Sequence, residues 1–233
     1  MNKVITEETP LSEKDCFYMM DRDKEAFTYP LHKHEAMELN FVEHCDGARR
    51  IVGDSIEVLG KYDLVLVGSG LEHTWDQYDC KSHSIHEITI QFPPDLLGEQ
   101  FLAKNQLSSL RALFHNAKRG VAFELDTIME LYSKITSITQ AQPGFYRMLK
   151  LLEILYELSL KENYHLLASR SFSNVKKTPE SVRVRQVEEY IDMHYKKEIR
   201  LKTLSDIAEM TPAAFSRYFR TKTGKTVSDY IID

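Results

Sequence analysis

The sequence predicts an α+β protein: an N-terminal β-barrel with a helical hairpin, followed by an all-α segment of helix-turn-helix type. Three observations carry this. Between Phe27 and Phe92, short apolar runs alternate with turn residues. After Pro94 the apolar positions recur every three or four residues. Beyond Glu180, two short amphipathic patterns flank Thr211-Pro212. Several short strands separated by turns make a sandwich or barrel, and the change of period marks the change from strand to helix.

Each element follows from its residues. Arg50-Ile51-Val52 and Ile56-Glu57-Val58 flank Gly53-Asp54-Ser55, a loop of hairpin type. Asp63–Val67 lies between Gly60 and Gly68 and suits a strand buried on both faces. His86–Phe92 alternates with period two and stops at Pro93-Pro94, which cannot continue a sheet. Leu125, Ile128, Leu131, Tyr132, Ile135 and Ile138 then define a helix, which Pro143-Gly144 ends. A second helix carries Phe145, Met148, Leu149, Leu152, Leu155 and Tyr156 on its face. The pair forms a helical hairpin that packs on the sheet or offers a dimer contact.

The polar stretch 169–181 reads as a linker between a domain over 1–168 (barrel about 15–100, helices about 101–168) and a segment over 182–233. In that segment a helix over Val182–Tyr195 lines up Val184, Val187 and Ile191. The next starts near Thr203, where Thr203 and Asp206 are spaced for a capping box, and turns Leu204, Ile207 and Ala208 inward. Thr211 is a good N-cap, and Pro212 suits the first helical position, where its missing N–H has no partner to lose. Phe215 and Phe219 form the apolar side of this last helix, opposite Ala213, Ser216, Arg217 and Arg220, and Gly224 closes it.

Composition narrows the function. The chain has 233 residues, 42% of them hydrophobic, which is ample for a core. No run is apolar enough to span a bilayer, and the N-terminus is not a secretory signal, so the expectation is a cytoplasmic protein with no membrane partner. Cys16, Cys45 and Cys80 are odd in number and widely spaced, against a disulfide framework. The net charge of −5 hides an asymmetry: 1–175 hold 18 Lys+Arg against 26 Asp+Glu, whereas 176–225 hold 12 against 7. A basic C-terminal segment fits a polyanion partner. A helix entering the major groove needs small or hydrogen-bonding outer side chains, with arginine able to grip guanine bidentately.

The run Thr203–Tyr230 resembles the first helix-turn-helix of the AraC/XylS family of transcription regulators, through Leu-x-x-Ile-Ala, Thr-Pro and Phe-x-Arg-x-Phe-Arg-x-x-x-Gly-Lys. The resemblance implies promoter DNA as partner. Ala213, Ser216 and Arg217 fall where the family's recognition helix meets bases, and Arg220 and Lys222 on the flank suited to phosphate. The family's domain carries two such motifs. This chain stops at Asp233, which implies truncation after the first.

In the strand region, His32, His34 and Glu38 share one face if the segment is a single extended strand, with Met37, Leu39 and Phe41 opposite. His-x-His-x3-Glu with the later His73 resembles the metal-ligand set of cupin barrels, which serve as effector domains in many AraC-like regulators; Arg119–Phe123 and the helices after it also resemble that family. Imidazole and carboxylate suit Zn, Ni, Fe or Mn. The same residues, with Trp75 and Tyr78 at the mouth, are candidates for an organic effector, a sugar or related metabolite. The reading is a homodimeric, effector-responsive DNA-binding regulator and not an enzyme. Its competitors are a metal-dependent cupin dioxygenase or isomerase, and a barrel that only dimerises.

Overall fold

The computed structural model describes residues 4–170, 172, 187, 190–191, 199–208, 210–223 and 226–227, with backbone only for 221–223. Most of the expected linker and of the Val182–Tyr195 helix, including Val184, lies outside the described residues, as does Gly224. The chain divides into two units, Met1–Ser173 and Asn174–Asp233.

In the first unit the described strands are β1 (Ile5–Thr6), β2 (Tyr18–Lys24), β3 (His32–Lys33), β4 (Met37–Glu43), β5 (Arg49–Val52), β6 (Ser55–Val58), β7 (Tyr62–Val67), β8 (His73–Asp76), β9 (Ile85–Phe92), β10 (Val121–Phe123) and β11 (Tyr164–Leu166). They form a five-stranded sheet, β1-β3-β8-β5-β6, and a six-stranded sheet, β11-β10-β7-β4-β9-β2. The expected barrel is therefore not closed. Nor does the sheet structure end near residue 100, because β10 and β11 return to the six-stranded sheet.

The physical reason is visible in β4, which is buried on both faces. Its Met37, Leu39 and Phe41, with Leu64, Leu66, Ile88, Ile90 and Phe92, pack under helices. Its Val42, with Val65 and Val67, meets Val52 and Trp75 of the other sheet. A sheet apolar on one side and half-polar on the other needs a cover on each, so helices take one face and the smaller sheet the other.

The helices are α1 (Glu99–Leu102), α2 (Ser108–Asn116), α3 (Leu125–Ser137) and α4 (Phe145–Ser159). The first two have no counterpart in the sequence reading, although Leu110, Leu113 and Phe114 carry helical spacing and are buried. The face assigned to α4 also changes. Leu151, Ile154, Leu155 and Leu158 are buried, while Phe145, Leu149 and Tyr156 point outward, at 72%, 44% and 40% exposure. The β5–β6 hairpin forms as expected around Gly53, whose φ of +61° is the left-handed conformation that a tight turn requires.

In the second unit, helices over Leu201–Ile207 and Pro212–Thr223 pack through Leu204, Ala208, Phe215 and Phe219, together with Val187 and Ile191. The first begins two residues earlier than expected, and no capping box forms. Arg200 is its N-cap, without a side-chain bond, and Asp206 instead accepts from Lys202 one turn back. Thr211 does cap the second helix, its hydroxyl accepting the Ala214 N–H at 3.3 Å.

Candidate functional site

The histidine segment is not one strand. His32 lies in β3 of the smaller sheet and Glu38 in β4 of the larger, with the chain bending between them at Glu35-Ala36. Convergence thus comes from crossing between sheets, not from period-two alternation along one. His73, on β8, stands directly opposite His32. The outcome is still a cluster: His32, His34, Glu38 and His73 are all buried, and one donor atom from each lies within 4.8 Å of the others.

The hydrogen bonds orient the set. The Nδ1 atoms of His32, His34 and His73 lie 2.9, 2.9 and 2.8 Å from the backbone carbonyls of Pro30, Ala36 and Leu71. Each ring therefore donates from Nδ1 and turns its Nε2 lone pair inward, the orientation that metal-bound imidazoles require. His34 Nε2 meets Glu38 Oε2 at 3.0 Å, His73 Nε2 lies 3.7 Å from Glu38 Oε1, and His32 Nε2 lies 3.3 Å from Glu7 Oε2. Fully buried His73 Nε2 has no hydrogen-bond partner. Donor atoms on one ion with bonds of about 2.1 Å sit no more than about 4.2 Å apart, so shifts of a few tenths of an ångström bring this set to coordination distance. The donor chemistry, the orphaned nitrogen and the fixed tautomers fit a divalent transition metal.

Charge is distributed unevenly in the cluster. Burial alone would raise the Glu38 carboxyl, but bonds from His34 and His73 hold it well below the usual carboxylate range. Burial also disfavours charge on His34, yet its bond to Glu38 raises it. Burial, reinforced by His73, pushes His32 down to about 4. The sign of the consequence for His32 is fixed. Between pH 6.5 and about 4 the unfolded chain takes up a proton that folded His32 refuses, so in metal-free protein its contribution to stability falls as pH drops. The expected loss is roughly 2–3 kcal/mol after solvent screening. Denaturation of wild type and His32→Asn across that window checks it; equal slopes would contradict it.

Beside the cluster, between the sheets, lies a cavity of about 100 Å³. His32, Glu38 and Trp75 line it. Trp75 commits its indole N–H to Asp63 at 2.8 Å and presents its ring to the cavity. Tyr78 does not line it; it is 62% exposed and stacks beneath Arg49. The sequence reading missed four wall residues, Glu7, Lys24, Glu87 and Gln91. Glu87 and Gln91 carried a signal, as polar residues at alternate positions of a strand otherwise suited to burial. Glu7 carried none, since only the parallel β1–β3 pairing brings it near.

Of the candidate DNA-contacting residues, Ala213, Arg217 and Arg220 are exposed and Ser216 partly so. The Ser216 hydroxyl donates to the Pro212 carbonyl at 2.9 Å. Lys222 is helical, and its side chain lies outside the described residues. Among the described residues, no helix is long and apolar enough to cross a membrane.

No protein-family model matches the chain. No curated protein matches it either. Among solved structures it is similar to apo ToxT from Vibrio cholerae strain SCE256, with 11% identity, a TM-score of 0.42 and coverage of 94% of this chain and 98% of that one. It is similar to wild-type ToxT with bound unsaturated fatty acid, with 13% identity, a TM-score of 0.37 and coverage of 95% and 97%. Similarity to the AraC-like transcriptional activator CuxR is 8% in identity with a TM-score of 0.38, over 92% of this chain and 70% of that one. Likenesses this distant carry no functional argument.

Proposed function

We propose that the protein is a ligand-responsive transcription regulator of AraC/XylS type. In this reading the N-terminal unit senses through a divalent metal held by His32, His34, Glu38 and His73, and the C-terminal helices bind promoter DNA. The observation that carries it is the Pro212–Thr223 helix. Phe215 and Phe219 are fully buried, while Ala213, Arg217 and Arg220 face solvent. That division leaves small and cationic side chains to enter a groove, with arginine reading guanine and neighbouring cations meeting phosphate.

The outward stripe of α4, Phe145, Leu149, Tyr156 and Leu160, supports self-association into a homodimer. Metal bound in the cluster would supply a Lewis-acidic centre that anchors an effector oxygen, while the residues fix its position. The metal-ligand set is also what favours the competing reading of an enzyme. Turnover by iron- or manganese-loaded protein with oxygen would support that alternative.

The test is Arg217→Ala. After selection of bound fragments from genomic DNA, the variant is expected to bind the preferred fragment about 1–3 kcal/mol more weakly and to lose discrimination at one base step. Unchanged affinity and footprint would remove Arg217 from base reading.

A further inference from the structure

The geometry points to a short 2-hydroxycarboxylate, of glycolate or lactate size, as the ligand of the cavity beside the histidine cluster. This inference rests on the metal-holding reading above. Size is the first restriction. Water occupies roughly 30 Å³ per molecule, so a cavity of about 100 Å³ offers the room of about three waters, too little for a hexose ring. The sugar-sized effector expected from the sequence does not fit.

Charge is the second restriction. Glu87 is 3% exposed and carries two cations: Arg22, whose Nη2 lies 2.7 Å away, and Lys24, whose Nζ lies 2.8 Å away. That end of the cavity has one positive charge more than its carboxylate offsets. At the other end Glu7 and Glu38 face histidines, and a divalent cation would balance them. With metal, the lining has a surplus of one positive charge, matched by a monoanion. Without metal the three carboxylates outnumber the two cations, and an anion is repelled.

Unpartnered atoms supply the third restriction. His73 Nε2 and Gln91 Oε1 are both buried without hydrogen-bond partners. Gln91 donates its Nε2 hydrogen to Glu38 at 3.1 Å, which leaves its oxygen as an acceptor in need of a donor. A metal ion answers the histidine nitrogen. A ligand hydroxyl answers the glutamine oxygen, whereas a 2-oxo acid has no proton to give it. The carboxylate is then the group drawn toward Lys24.

Calorimetry on the full chain tests this with zinc and glycolate as probes. Zinc affinity is measured first, then glycolate and pyruvate titrations with and without zinc. The expected result is zinc binding, glycolate binding only to zinc-loaded protein, and pyruvate about tenfold weaker or worse. Lys24→Met should weaken glycolate about tenfold with zinc affinity unchanged, and Lys24→Arg should restore most of the loss. Because Arg22 still pairs Glu87, Lys24→Met keeps a partner on the buried carboxylate. Failure to bind zinc would overturn the metal reading and this inference together. Zinc bound with no glycolate response, glycolate binding without zinc, or unchanged affinity in Lys24→Met would overturn this inference alone.

Discussion

Arg50→Ala is expected to lower the unfolding free energy of the N-terminal unit by about 3–5 kcal/mol, because it leaves a buried carboxylate without its cation. Arg50 is 3% exposed and bonds Asp63 through Nη1 and Glu57 through Nη2. Asp63 is itself 5% exposed, and the Trp75 indole N–H, at 2.8 Å, is its other bond. Arg50 belongs to β5 and Asp63 to β7, so the pair ties the two sheets through their common interior. Burial pushes the Asp63 carboxyl up, and Arg50 and Trp75 oppose that push. Without the guanidinium, the aspartate must protonate or drag water inside. Urea denaturation of Arg50→Ala, Asp63→Leu and the double variant isolates the coupling. A loss below 1 kcal/mol in Arg50→Ala would contradict the buried pair.

The second large effect concerns metal. Saturating zinc should raise the melting temperature of wild type, by an amount equivalent to about 2.7 kcal/mol when free zinc is a hundredfold above its dissociation constant. His73→Ala should abolish most of that gain. His73 is the sharpest choice because its Nε2 is fully buried without a hydrogen-bond partner, so this nitrogen has no bond to lose in metal-free protein. The comparison is zinc-induced shift against zinc-induced shift, which cancels the cost of the cavity left by the ring. An undiminished shift in His73→Ala would place zinc elsewhere.

Much of this was legible in the residues. The runs Ile56–Val58, Asp63–Val67 and His86–Phe92 form strands because apolar alternation and flanking turns act locally. Thr211-Pro212 starts a helix because capping needs nothing beyond neighbouring backbone. What was not legible depends on distant chain. The bend at Glu35-Ala36 hides in a sequence that reads as one strand, since only the packing of two sheets decides that His32 and Glu38 belong to different ones. The same packing decides that the strands do not close into a barrel. In α4 the apolar residues nearly encircle the helix, so the pattern could not say that Leu151 and Leu158 turn inward and Phe145 and Leu149 outward. The polar wall of Glu87 and Gln91 was written in β9, but its meaning required knowing that Glu38 stands opposite Gln91.

One consequence follows from β4 having no free side. Glu38 on one face belongs to the histidine cluster, while Leu39 and Phe41, its near neighbours in the chain, press against the helical layer. Phe41 stacks edge-on with Tyr132 of α3 at 5.9 Å, and the Tyr132 hydroxyl donates to Glu43 at 3.0 Å. Close-packed interiors pass displacement on instead of absorbing it. The ligand chamber and the helical hairpin are thus two rooms with a common wall, and neither can be refurnished without being felt in the other.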